Sequence, residues 1–206
     1  MRINLTSPFM NFISKCVDCF LITVYFFCAS IPVITIGASI TATSAAMLAL
    51  CNDRTSSVTK TFWKSFCRDF RQATLTWLWI LPLILLLVFD IWYCIQQAEQ
   101  DSLYLSLLLG VSICVAIVLS CFSVYVFAII AQFETKLRQA YNNALQLMRR
   151  NLISTLLLVF LAVIMILLFY FCNITVLPLF SICMYCQAVI LRKVFQPYMN
   201  PNEQTT

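Results

Sequence analysis

The segment "SIPVITIGASITATSAA", residues 30–46, decides how this chain folds. It lies inside an uncharged run from Cys19 to Asn52 and holds Gly37, one of only two glycines. Pro32 lacks an N–H and clashes with the preceding turn, so it ends or kinks a helix there. Gly37 lets the backbone turn or lets another helix come close. After it, Ala38, Ala42, Ala45, Ala46 and Ala49, interleaved with Ser39, Thr41, Thr43 and Ser44, give a thin helix. Small residues let helices approach in lipid, and hydroxyls bond across the contact. One reading is therefore a tightly packed hairpin at the centre of a bundle. The other is a broken helix lining a substrate path, with Thr35, Gly37, Thr41 and Ser44 facing it.

Working outward, the surroundings are as apolar as the segment itself. Of 206 residues, 62% are hydrophobic and only 10% charged, whereas about a quarter of a soluble domain is charged. Such a chain cannot cover its own surface in water, which points to a polytopic membrane protein. There is no histidine, which removes the commonest general base and metal ligand. Most of the eleven cysteines lie in apolar runs, where the thiol behaves as a small buried hydrophobe. The N-terminal "MRINLTSPFMNFISKCVDC" has no small-residue cleavage pattern before the apolar run, so the first segment is expected to be retained.

A membrane helix needs roughly 20 apolar residues. Residues 72–94, 103–130, 151–172 and 173–191 each satisfy this. The run from Cys19 to Asn52 would make about 51 Å of straight helix, too long for one crossing. Folded back near Ser30–Gly37, it gives two crossings and six spans in all; the competing arrangement is one span plus a re-entrant segment that returns to the same side, and charge placement decides between them. With six spans, all 13 Lys and Arg fall on one side, and the other side holds only Glu99 and Asp101, with Asp90 just inside its helix. That is the positive-inside pattern, and it predicts both termini in the cytoplasm. The net charge of +5 then belongs to the anionic inner leaflet rather than to nucleic acid.

Two cytoplasmic segments, 55–71 and 134–150, read as amphipathic helices. In the first, Val58, Phe62, Trp63, Phe66 and Phe70 share an arc opposite Lys60, Lys64, Arg68 and Arg71. In the second, Leu137, Tyr141, Ala144 and Met148 share a face flanked by Lys136, Arg138, Arg149 and Arg150. Such helices lie in the headgroup region or dock a soluble partner. Residues 195–206 read as a flexible tail.

Candidate chemistry is sparse. Asp90 with Trp92 and Tyr93 combines a carboxylate with aromatic faces, as a sugar site would; it is equally an interfacial aromatic belt with an acid reaching headgroup water. Cys16/Cys19 and Cys183/Cys186 form two C-x-x-C pairs that six spans would bring to similar depth, as a four-thiolate zinc or redox site needs, although such zinc sites usually sit on loops or turns. No phosphate-binding glycine loop, catalytic triad or metalloprotease motif is present, so neither an enzyme nor a cofactor is expected.

The stretch "PVITIGASITA" followed by "FWKSFCRDFRQATL" resembles the YesL-like family of bacterial membrane proteins, a domain of unknown function. Pro32, Val33, Thr35, Ile36 and Gly37 carry the likeness, with Phe62, Trp63, Phe66 and Phe70; "KLRQAYNNALQLMRRNLISTLL" extends it. Ala38 departs from a frequent proline and Asp69 from a frequent asparagine. The resemblance implies a bacterial plasma membrane protein encoded near carbohydrate ABC transporters. It implies a role in sugar uptake, as an accessory subunit or small permease, with transporter components as partners. A scaffold or regulator docking a soluble partner is the alternative. The expected fold is a single all-α membrane domain over residues 1–206, with six spans, a Pro/Gly-broken first hairpin and two interfacial helices.

Overall fold

A computed structural model describes residues 8–52, 57–96, 103–133, 137–171 and 176–199. Arg2, Arg54, Glu99, Asp101, Lys136 and the tail from residue 200 lie outside the described residues. Within them the chain is all-α: α1 (Pro8–Ala29), a short 3-10 turn (Val33–Thr35), α2 (Ile36–Cys51), α3 (Val58–Gln96), α4 (Leu103–Gln132), α5 (Leu137–Arg150), α6 (Leu152–Phe171) and α7 (Val176–Met199).

The first hairpin breaks where Pro32 requires it. Helix α1 stops at Ala29, Pro32 is extended (φ −76°, ψ 121°), and α2 begins at Ile36. A helix end leaves carbonyls without partners, and Thr35 supplies one: its hydroxyl lies 2.7 Å from the carbonyls of both Ala29 and Pro32. Trp77 of α3 donates its indole N–H to the carbonyl of Val33 at 2.9 Å. Ala38, where a proline is frequent among YesL-like sequences, falls in the first turn of α2. A missing N–H costs nothing there.

Helix α2 is the axis of the molecule and packs against α1, α3, α4 and α7. Thr41, Ala42 and Ala46 are completely buried. Its narrow side chains let four neighbours close around it. Hydroxyl bonds stitch the outer helices together: Thr23–Ser181 (α1–α7, 2.7 Å), Thr76–Tyr141 (α3–α5, 3.2 Å) and Tyr125–Thr155 (α4–α6, 3.2 Å). Arg192 donates to the carbonyl of Cys51 at 2.7 Å, closing the C-terminal end of α2 with a cation, the sign that end favours.

Helix α3 is one uninterrupted helix of 39 residues, about 58 Å long, with Pro82 inside it. It runs antiparallel to α2, so the hairpin turn meets it at Ala73 and Trp77. From there α3 continues about 28 Å to Gln96, accompanied by the first half of α4. This projecting pair turns Leu78, Trp79, Leu85, Leu86 and Phe89 outward, with Tyr104, Leu107 and Val111. The second half of α4 is different: Tyr125 to Ala131 are buried in the bundle.

Three stretches are long and apolar enough to cross a membrane among the described residues: Val33–Cys51, Val58–Gln96 and Ser106–Gln132. A fourth arises if Leu137–Arg150 and Ile153–Leu161, which meet at 101°, form one broken span. Length and composition thus select three or four spans against the six expected. Helix α7 also corrects the start of the tail: it stays helical to Met199, and Phe195 is in the core beside Phe133.

Candidate functional site

The expected substrate path divides at α2. Gly37 has no room for a side chain: a Cβ there would lie 2.5 Å from the Trp77 Cβ and 2.6 Å from the Ala73 carbonyl oxygen. Thr41 donates to the carbonyl of Gly37 at 2.9 Å within its own helix. Thr35 is committed to the end of α1. Gly37 thus builds the α2–α3 seam, and Thr35 and Thr41 spend their hydroxyls on backbone carbonyls of the hairpin and of α2. Ser44 lines a cavity of about 300 Å³ between α1, α2, α4 and α7. Thr43 borders the same space; it is 1% exposed and its hydroxyl has no hydrogen-bond partner among the described residues. Gln187, Ser120 and Ser123 add polar atoms, and Trp77 and Phe180 add aromatic faces. The sequence reading missed Ser120, Ser123 and Gln187. The available signal was polar residues inside otherwise apolar helices.

Asp90, Trp92 and Tyr93 do not form one site. Asp90 faces α4, where Ser112 donates to its Oδ2. Trp92 and Tyr93 are exposed, and Trp92 lies against Phe89. The aspartate clasps the two projecting helices, and the rings lie outside them. The cavity beside this pair is lined by Ile80, Ile84, Leu87 and Ile91 from α3 and is largely apolar.

The basic segment is not a separate helix lying on a surface; it is the first third of α3, packed along α2. Its buried stripe is Val58, Phe62, Ser65, Asp69, Ala73 and Thr76. Phe62 is completely buried; Phe66 stacks on it with ring centroids 6.3 Å apart, and Tyr25 and Trp63 each lie 5.7 Å from it. Trp63 and Phe70 stay exposed. Asp69 acquires a clear role: Arg68 donates to both of its oxygens at 2.9 and 2.8 Å, and Ser65 donates at 3.0 Å. Arg68 also reaches the carbonyl of Ala131 at 3.1 Å, tying α3 to the end of α4. Lys60, Lys64 and Arg71 are exposed. In α5, Ala140, Ala144 and Leu147 are buried, with Leu137, Tyr141 and Met148 packed beside them, while Arg138, Arg149 and Arg150 point outward.

The cysteine pairs do not assemble. Cys16 is exposed, Cys19 and Cys183 are buried, and Cys186 is intermediate. No three cysteine, aspartate or glutamate side chains come within metal-holding reach among the described residues.

No curated protein and no solved structure matches the chain. The matched region, residues 19–91, contains both the broken hairpin and the basic half of α3, the two features that the packing ties together at Gly37. Over those residues the chain matches the family model described as a protein of unknown function, DUF624, the family to which the YesL-like proteins belong.

Proposed function

We propose that the chain is a multi-pass protein of the bacterial plasma membrane that serves carbohydrate uptake as an accessory subunit, not as the conduit itself. The YesL-like resemblance supports the carbohydrate assignment. The close packing of Gly37 against Ala73 and Trp77 supports the accessory role, because the seam where a path was expected is filled by backbone and side chain. The exposed faces of α3 and α5, with Lys60, Lys64, Arg71, Arg138 and Arg149, supply a cationic surface for a soluble partner or for anionic headgroups.

The level at which the hairpin meets α3 supports one membrane arrangement. Only about 30 Å of α3 fits the hydrocarbon, and the charge-free part beyond Gln72 fits it best. Lys60, Lys64, Arg68 and Arg71 lie alongside α2, on the other side of that boundary. The α1–α2 hairpin then enters from the cytoplasmic side and turns back near the inner headgroups. Ile31, Val33 and Ile34, all more than half exposed, dip into lipid at its tip. Both termini stay cytoplasmic under this arrangement, as they do with six full spans.

A second reading has a specific observation behind it. The cavity beside Ser44, with the unpartnered Thr43 hydroxyl and the faces of Trp77 and Phe180, fits a small polyol or sugar and supports a permease. Affinity isolation from native membranes separates the two. Co-recovery of ABC sugar-transporter subunits is expected for the accessory role. An isolated protein whose thermal midpoint rises with a sugar, and falls back in Thr43→Val, would replace it with the permease.

A further inference from the structure

A second cavity, of about 370 Å³, opens on the opposite side of α2. Its floor is made by Ala45 and Ala49, small enough to leave the space open. Its rim carries Lys60, Lys64 and Arg68 from α3, with Asn52 and Thr61. Arg68 is held in place by Asp69 and by the carbonyl of Ala131. Lys60 and Lys64 are not held: no carboxylate pairs with either among the described residues, and both are exposed. Two like charges four residues apart on a helix destabilise it slightly. Among the described residues of this face the only carboxylate is Asp69, and it is already taken by Arg68. Among the described residues the rim therefore carries more positive charge than the neighbouring carboxylates neutralise, around a pre-formed hollow with amide and hydroxyl groups.

We propose that this cavity binds a phosphoryl or phosphodiester group, with Lys60 and Lys64 as its principal ligands and Asn52 and Thr61 as hydrogen-bonding partners. The cations meet the phosphate charge directly, and the two alanines admit the group to the side of α2. Two sources carry this chemistry: the headgroup of an anionic lipid or a soluble phosphate compound. The site is independent of whether the protein is an accessory subunit or a permease, since it lies on the other face of α2 from the Ser44 cavity.

The test uses the full chain reconstituted in phosphatidylcholine vesicles, alone, with phosphatidylglycerol added, or with inorganic phosphate added to the buffer. Thermal midpoint is the readout, because a ligand that binds the folded state raises it. The variants are Lys60→Gln/Lys64→Gln and, with the same charge loss away from the cavity, Arg150→Gln/Lys193→Gln. Stabilisation by phosphatidylglycerol alone assigns the lipid source, and stabilisation by inorganic phosphate without it assigns the soluble one. In either case the cavity variant is expected to weaken the effect roughly tenfold or more in ligand concentration, and the control variant to keep it. If neither addition raises the midpoint of the native chain, or if the control variant loses the effect as fully as the cavity variant, the site is refuted.

Discussion

Gly37 of α2 and Trp77 of α3 approach so closely that a Cβ on the glycine would sit 2.5 Å from the Cβ of the tryptophan. The same Cβ would lie 2.6 Å from the carbonyl oxygen of Ala73. Backbone cannot move aside as a flexible side chain can. Gly37→Ala is therefore expected to destabilise the protein by about 1–3 kcal/mol, the usual range for overpacking a filled contact. Gly110 is the internal control: a Cβ there meets nothing within 4 Å. Gly110→Ala is expected to be neutral, or stabilising by up to about 1 kcal/mol through helix propensity. Thermal unfolding of the two variants in the same detergent checks both signs, and an equal effect would remove the special status of Gly37.

The indole of Trp77 also fixes the hairpin by its bond to the carbonyl of Val33. Trp77→Phe keeps an aromatic ring but loses the donor. A loss of about 1 kcal/mol is expected, the net worth of one such hydrogen bond. Faster proteolysis between Ser30 and Ile36 in Trp77→Phe would show that the bond holds the turn; unchanged cleavage would show that it does not.

These two contacts explain why the family signature was readable while its purpose was not. Pro32 and Gly37 announce a helix break and a close approach in one dimension, and the break fell where they indicated. Sequence spacing does not reveal which helix approaches, or at what height. The positive-inside count therefore served equally well for a hairpin that crosses and for one that turns back. The aromatic stripe misled in a related way. Phe62 and Val58 do face the core, but the same stripe continues through Ser65 and Asp69, which a hydrophobic pattern assigns to solvent. Asp69 is tolerated there because Arg68 lies beside it, a partner that periodicity does not show. The Ser44 cavity was half visible, since Ser44 was singled out but Gln187 and Ser120 arrive from helices far along the chain.

The Arg68–Asp69 pair yields a graded prediction. Asp69 is the more buried partner, with its side chain 10% exposed against 39% for Arg68. Asp69→Asn keeps an acceptor for one Arg68 N–H and for Ser65, and solvent screens what Arg68 loses. The cost should be about 1 kcal/mol or less. Arg68→Gln leaves a buried carboxylate without its cation, for which about 3 kcal/mol is typical. Unfolding midpoints that rank Arg68→Gln well below Asp69→Asn are expected; the reverse order would mean that the aspartate does not depend on its neighbour.

Asp90 is expected to matter for the α3–α4 contact and not for sugar handling. Asp90→Asn retains a group that bonds to Ser112, so stability and carbohydrate-dependent growth should both stay near those of the native chain. Asp90→Leu removes the clasp and should cost about 1 kcal/mol, in the range measured for bonds between membrane helices. Selective loss of growth on one carbohydrate in a well-folded Asp90→Asn variant would return this residue to the substrate site.

The depth of the first hairpin is the most consequential prediction, because Ile34 and Gln96, the last residue of α3, stand at opposite ends of the projecting part of α3. Ile34 is 62% exposed at the hairpin tip, close to the level of Trp77, and α3 runs about 28 Å beyond that level. If α3 crosses the bilayer over its charge-free part, Ile34 lies near the inner leaflet and residue 97 lies outside the cell. Ile34→Cys and Gln97→Cys, each placed in a chain whose native cysteines are replaced by serine or alanine, distinguish the arrangements. A membrane-impermeant maleimide added to intact spheroplasts should label Gln97→Cys and leave Ile34→Cys unlabelled. Prompt labelling of Ile34→Cys from outside would mean that the hairpin crosses fully. The cations of α3 would then lie at the depth of α2 within the hydrocarbon, at a cost of about 2.5–3.5 kcal/mol for each one near its centre. Nothing in the packing of Lys60 and Lys64 offsets such a cost, and for that reason the shallow hairpin is expected.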